Sequence, residues 1–422
     1  APDAAAPLAG WPLLLWIHGG GNGMGAASDL DDGAVFARHG IVVVQIQYRL
    51  GAFGFLNLAD TVDPSEVDAG CAGFLDQVAA LAWVHAHASV FGADPDRITI
   101  YGESAGAKAV AALMGSPATH GLFAQAISSS GGDSVAAPAA TADVARRVLA
   151  HLEAPRSADD PMADLRALPA AAILAAQDAV CPSNQTVWVW RANLHPTVLP
   201  ARPIDSIGAG SAAGVRALIG NNADEAVFFA QLWGAEHCLG PLPEVLGEVV
   251  TAQPLDRLID LYSESRAIAG APADRARAGL ALMGDERYAI PTLRLAEAQS
   301  QHGTVFRYRL DVAPPNYPPE YAGGHTCDLP MAWQTPELQQ ALPHDAEGHR
   351  VAPAFHEAMA SFIRTGVPSA ETLPKWPRFD TTARATMVFG TRCEVRNDPR
   401  AVEREVWPDQ WEYGTWWALP DE

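Results

Sequence analysis

Three runs in the first quarter of the chain are apolar without alternation: Leu13-Leu14-Leu15-Trp16-Ile17, Ile41 to Gln47, and Ile98-Thr99-Ile100-Tyr101. Continuous apolar runs of this length mark strands covered on both faces. Between them the period changes. The segment Asp32–His39 and residues 73–89, with Leu75, Val78, Ala79, Ala82 and Trp83, place apolar side chains along one helical face. Strand, helix, strand, helix, strand predicts a parallel sheet of the α/β class. Phe91-Gly92-Ala93-Asp94-Pro95 reads as a turn into the third strand. Further strands are expected at Phe123–Ser128, Arg216–Gly220, Thr304–Leu310 and Met387–Phe389. Helices are expected at 141–153, at 162–177, in several pieces through 242–302, and at 351–365. Residues 178–210 are irregular, rich in proline and polar side chains. The pattern contains no repeat and no dividing linker. It predicts a single α/β domain over 1–422: a mostly parallel central sheet flanked by helices, with insertions at 136–210 and 230–290 over one edge. Trp188 and Trp190 suit either the core of such an insertion or the wall of a pocket.

The third strand runs into Gly102-Glu103-Ser104-Ala105-Gly106 and then an Ala-rich helical stretch from Ala107 to Leu113. A Gly-x-Ser-x-Gly turn between a buried strand and a helix exposes the serine hydroxyl above the carboxyl edge of a sheet, the geometry of a nucleophile elbow in α/β-hydrolases. Side chains at Gly102 or Gly106 would collide with the neighbouring strand or helix. The first strand runs into His18-Gly19-Gly20-Gly21-Asn22-Gly23. Consecutive glycines after a strand, upstream of the elbow, suit a loop whose backbone N–H groups meet a developing oxyanion. His18 belongs to that loop and reads as an orienting residue rather than a base. Glu103, beside the serine, either tunes the site electrostatically or is an ordinary elbow residue.

A hydrolytic serine needs a base and an acid, supplied in this fold class after later strands in the order Ser…Asp/Glu…His. Asp224 and Glu225 follow the strand at 216–220, and order alone leaves both open. His325 follows the strand at 304–310 within Gly323-Gly324-His325, which sets it apart from His302, His344, His349 and His356. In such a trio the neutral imidazole takes the serine proton as it attacks an acyl carbon and returns it to the leaving group, while the carboxylate fixes the imidazole tautomer.

Composition narrows the partners. A formal charge of −21 argues against nucleic acid and a polybasic membrane surface, and favours solubility. No apolar run approaches the length of a membrane helix. The start of the chain shows no signal-peptide pattern. Cytoplasmic and exported locations are both open. Five cysteines leave at least one thiol free; none falls in a metal-binding spacing, and a Cys181–Cys238 disulfide is open.

Several blocks together resemble the type-B carboxylesterase/cholinesterase family, in particular its bacterial para-nitrobenzyl-esterase-like branch. They are Trp16–Gly21, Tyr48–Phe55, Leu75-Asp76-Gln77 with Ala80–Val84, Phe91–Pro95, the Gly102–Gly106 elbow, Asp224-Glu225, Arg294–Gln299, His325–Pro330, Trp376-Pro377 and Asn397–Pro399. The resemblance runs from about Leu13 to Trp407. It implies an α/β-hydrolase fold and a serine carboxylic-ester hydrolase acting through an acyl-enzyme, with Ser104 as nucleophile, Glu225 as acid and His325 as base. It implies Gly20, Gly21 and Ala105 as the oxyanion hole, and no metal or cofactor. Asn22, Glu103, Trp188, Phe228 and Phe229 are the expected pocket residues, with Asn22 making the pocket more polar where an aromatic often stands. Family members carry a longer segment ahead of the first strand, so an exposed sheet edge and an incomplete pocket are expected. Amide or carbamate hydrolysis by the same trio, or a cholinesterase-like binding module, are the other readings. The expected partner is a small-molecule ester; oligomeric state is open.

Overall fold

A computed structural model of the chain describes residues 7–30, 33–152, 160–181, 188–240, 242, 246, 254–315, 317–335 and 346–409. Eight strands form one sheet: β1 (Trp11–Ile17), β2 (Val42–Ile46), β3 (Ala93–Glu103), β4 (Gln125–Ser129), β5 (Arg216–Asn222), β6 (Val305–Leu310), β7 (Ala385–Phe389) and β8 (Glu394–Asn397). Their spatial order is β2-β1-β3-β4-β5-β6-β7-β8, parallel except for the antiparallel β7–β8 pair. The expected α/β architecture with a mostly parallel sheet is present.

Burial on both faces explains the unbroken apolar runs. In β1, Leu13, Leu15 and Ile17 enter one core with Ile98 and Ile100, while Leu14 and Trp16 enter the opposite core with Tyr101, Ile127 and Leu218. Each such side chain contributes about 1.5–3 kcal/mol on burial. A third cluster lies apart from these two and joins Trp188, Phe229, Leu258, Tyr262, Met283, Tyr288 and Trp407. It joins side chains between Ala226 and Ile290 to Trp188 and Trp407. Residues 153–159, 182–187 and most of 241–253 lie outside the described residues.

Several boundaries differ from the sequence reading, each for a local reason. The expected 162–177 helix is two helices, Pro161–Ala167 and Ala170–Val180. Pro169 divides them, since the residue before a proline is pushed out of helical backbone. Ala93-Asp94-Pro95 is part of β3, not a turn ahead of it: Trp11 pairs with Ala93 before the register jumps to Leu13 with Ile98. The short helix near residue 35 spans Ala34–Ala37, with residues 31–32 outside the described set. The polar edge strand β8 and the helix Asp328–Trp333 had no distinctive period to announce them. All five cysteines are free thiols, so Cys181 and Cys238 form no disulfide. Among the described residues, no helix is long and apolar enough to cross a membrane.

The strand order reverses between β1 and β3: from β1 the chain moves outward to β2, then returns to β3 and continues the other way. Loops leaving the carboxyl ends of strands at such a switch point form a crevice. Here they are the Gly-rich loop after β1 and the Ser104 turn after β3. The two are packed backbone to backbone. A Cβ on Gly102 would lie 2.2 Å from the Gly106 carbonyl carbon, and one on Gly106 would lie 2.1 Å from the Ile17 carbonyl oxygen. Gly106→Ala is expected to destabilise the fold by about 1–3 kcal/mol, the usual cost of overpacking, or more, because rigid backbone must move. Denaturant unfolding followed by tryptophan fluorescence measures this; an unchanged midpoint would contradict the packing described.

Candidate active site

Ser104 sits at φ 55°, ψ −121°, in backbone that side-chain-bearing residues rarely adopt. Such a conformation costs about 1–3 kcal/mol. Its N–H donates to the Ser129 carbonyl at 2.9 Å and its carbonyl accepts from Lys108 N at 3.0 Å, so β4 and the helix Ala105–Gly115 hold the turn from both sides. The buried strand on one side and the buried helix on the other outweigh that cost.

β5 ends at Asn222, and Glu225 immediately precedes the helix Ala226–Trp233. β6 leads to the loop carrying His325. The structure brings Ser104, Glu225 and His325 together: His325 Nε2 is 2.8 Å from Ser104 Oγ, and Nδ1 is 2.6 Å from Glu225 Oε2. All three are buried. With the proton on Nδ1 donated to Glu225, Nε2 is left to accept from the serine hydroxyl. Glu225 Oε1 accepts from the Ser130 hydroxyl at 2.6 Å and the Asn222 N–H at 2.7 Å. The His325 N–H donates to the Glu225 carbonyl at 3.1 Å. Asp224 points elsewhere, paired with Arg266 at 2.9 Å. His302 and His356 are engaged with backbone carbonyls, of Gly208 and Ala332 respectively. His344 lies outside the described residues.

Gly20 and Gly21 have φ of 95° and 63°. Among the described residues, neither their N–H groups nor that of Ala105 makes a hydrogen bond within the protein. His18 orients this loop: its Nδ1 is 2.9 Å from the Gly19 carbonyl, its own carbonyl accepts from the Tyr48 hydroxyl at 2.9 Å, and its ring stacks on Tyr48. Burial holds the His18 pKa below its ordinary value and favours the neutral ring.

A cavity of about 350 Å³ opens on Ser104 and His325 and is lined by Gly20, Gly21, Glu103, Trp188, Phe228, Phe229 and Tyr288, among others. Four of the expected pocket residues, Glu103, Trp188, Phe228 and Phe229, therefore line it. Asn22 does not. Its side-chain amide donates to the Trp190 carbonyl at 2.9 Å and lines a separate small cavity beside Phe55 and Lys108, so it leaves the main pocket apolar rather than making it polar. Trp190 belongs to the core beneath.

Sequence reading passed over Ser130, Asn222, Asp328, Lys108 and Tyr288. Tyr288 packs its ring 4.3 Å from that of His325 and accepts from Trp188 Nε1 at 2.8 Å. It rides on a π-turn, Asp285–Ala289. Pro291 has no N–H to give the Arg287 carbonyl four residues back; Lys108 Nζ donates to it instead at 3.1 Å. Pro291 in an otherwise helical stretch was the available signal. Asp328 is fully buried and accepts from the Tyr308 hydroxyl at 2.7 Å and Asn222 Nδ2 at 3.3 Å.

Glu103 differs from Glu225 in having few donors. Its Oε1 lies 3.3 Å from His325 Nε2 and is without a hydrogen-bond partner among the described residues. Burial first, then the charges of Asp328 and Glu225, push its pKa well above the ordinary carboxyl range, favouring the protonated form. No group of three or more His, Cys, Asp or Glu among the described residues is arranged to hold a metal.

Residues 1–407 match the family model described as the carboxylesterase family. The chain is 31% identical to the para-nitrobenzyl esterase of Bacillus subtilis (strain 168) over 414 residues, covering 96% of this chain and 80% of that protein. It is 29% identical to the human (Homo sapiens) cocaine esterase over 394 residues, covering 87% of this chain and 66% of that protein. A solved carboxylesterase of Geobacillus stearothermophilus superposes with a TM-score of 0.82 at 32% identity, over 96% of this chain and 84% of that one.

A carboxyl whose pKa folding raises keeps its proton in the folded chain while the unfolded chain gives it up. Its stabilising contribution is complete below the unfolded value, near 4.5, and is lost as pH rises toward the folded value. Glu103→Gln removes that loss. The variant's thermal midpoint minus that of the unmutated chain is expected to widen from pH 4.5 upward; a difference flat with pH would contradict the assignment.

Proposed function

The chain belongs to the carboxylesterase family and is a carboxylic ester hydrolase, and on that premise we propose that it works through an acyl-enzyme on Ser104, with His325 as base and Glu225 as the acid behind it. The observation that carries the proposal is the continuous hydrogen-bonded line from Ser104 Oγ to His325 Nε2 at 2.8 Å and from His325 Nδ1 to Glu225 Oε2 at 2.6 Å. The ester enters the apolar cavity with its carbonyl oxygen toward Gly20, Gly21 and Ala105. Ser104 Oγ attacks the carbonyl carbon as Nε2 takes its proton. Negative charge gathers on the carbonyl oxygen, where fixed N–H dipoles stabilise it without reorganising; loss of one such donor costs about 2.7–4 kcal/mol. The imidazolium, steadied by Glu225, hands the proton to the departing alcohol. Water then repeats the sequence on the acyl-serine, with His325 again the base.

The lining selects the substrate class. Trp188, Phe229, Trp233 and Tyr288 offer aromatic faces, and Glu103 is held toward its neutral form. An uncharged ester with an apolar acyl or aryl part fits such walls.

Para-nitrophenyl acetate and butyrate are expected to be hydrolysed by the 422-residue chain. Ser104→Ala should lower kcat by about 10⁴–10⁶-fold with its circular dichroism spectrum unchanged. A folded Ser104→Ala chain retaining more than a tenth of the activity would overturn the assignment of the nucleophile.

A further inference from the structure

The residue beside the proposed acid is anchored from outside the trio. Asp224 accepts two N–H bonds from the Arg266 guanidinium, at 2.5 and 2.9 Å. Arg266 lies near the end of the helix Leu255–Ile268, and the two side chains are only 6% and 15% exposed. Its Nε donates to the Pro272 carbonyl at 2.6 Å. Every nitrogen of the fork is therefore engaged, and the guanidinium plane is fixed.

The backbone of the same turn is stitched to the loop that carries the base. Ala223 N–H donates to the carbonyl of Leu310, the last residue of β6, at 2.9 Å. Asp224 N–H donates to the Gly323 carbonyl at 2.7 Å, and His325 N–H to the Glu225 carbonyl at 3.1 Å. Three successive residues thus meet the segment between β6 and His325. Packing leaves little slack. A Cβ on Gly323 would lie 2.9 Å from Ala223 Cβ, and one on Gly284 would lie 3.3 Å from Glu225 Cβ. Any pivot of this turn changes the approach of the Glu225 carboxylate to the imidazole. Arg266 grips the side chain in the middle of the turn and opposes that pivot.

A buried ion pair adds little net stability over apolar residues of the same volume. A two-pronged pair adds direction, which a lysine point charge in the same place would not. We propose that Arg266 is a positioning residue for the ester hydrolysis, setting through Asp224 the angle at which Glu225 meets His325. The inference rests on the Ser104–His325–Glu225 reading and extends it to a residue that touches none of the three.

Arg266→Lys keeps the charge and loses the fork. With para-nitrophenyl butyrate its kcat should fall about 10–100-fold, the cost of a misplacement on the order of 1 Å, with KM unchanged. In a Glu225→Ala background, followed in single turnovers at high enzyme concentration, the same substitution should cost nothing further, because no carboxylate is left to place. Asp224→Asn, which turns one acceptor into a donor facing the fork, should give both results and decides the matter if Arg266→Lys does not fold. An unchanged kcat in either folded variant overturns the proposal. So does an equal loss in both backgrounds, which marks a smaller folded fraction rather than a misplaced acid. If Glu225→Ala alone leaves the rate intact, the trio reading fails and this proposal with it.

Discussion

The imidazole of His325 is held from both sides, and the arrangement of the chain's carboxyl edge follows from that. A ring with one nitrogen on Glu225 and the other on Ser104 has neither rotation nor tautomer left free. Keeping it so requires the loops after β3, β5 and β6 to place their side chains to within about 0.5 Å of that geometry. Loops alone do not achieve that; the parallel sheet does. Its central strands, buried on both faces, fix where each loop begins. Short cross-links then tie the loops together: Ser104 N–H to Ser129, Ser130 N–H to Gly220, and His325 N–H to the Glu225 carbonyl.

Electrostatics sort the carboxyl groups packed around the ring. Glu103, Glu225 and Asp328 are all buried within one small region. Three adjacent negative charges in such a place repel strongly, and burial makes each costlier still. Donors are unequally shared. Glu225 has Ser130, the Asn222 N–H and His325; Asp328 has Tyr308 and Asn222; the outer oxygen of Glu103 has none among the described residues. Glu103 and Asp328 are both displaced upward from the ordinary carboxyl range, by burial first. The unequal donors let one carboxyl serve the imidazole while a neighbour packs against the serine as a nearly neutral wall.

What the sequence made legible was local. A buried strand followed by Gly102–Gly106, and another followed by Gly19-Gly20-Gly21, are constraints written into consecutive residues, and the backbone shows why: no Cβ fits at Gly102 or Gly106. The parallel sheet was legible because burial on both faces leaves an apolar run. Choosing Glu225 over Asp224 was not local. It rested on family resemblance, and in the structure it turns on Arg266, 42 residues away, taking Asp224. Asn22 shows the same limit. Its expected place in the pocket assumed a side chain facing the serine, but the Trp190 carbonyl, 168 positions along, turns it away. Lys108 and Ser130 act through backbone carbonyls and a carboxylate brought near only by the fold.

The central claim is that Ser104 carries the acyl group between two half-reactions. Rapid mixing of the chain with a para-nitrophenyl ester, followed by acid quench and peptide mass analysis, tests it most directly. The account predicts a burst of para-nitrophenol approaching one equivalent per chain, with the acyl mass on the peptide containing Ser104. Turnover with no acyl adduct on that peptide, or with the adduct on another residue, would contradict it.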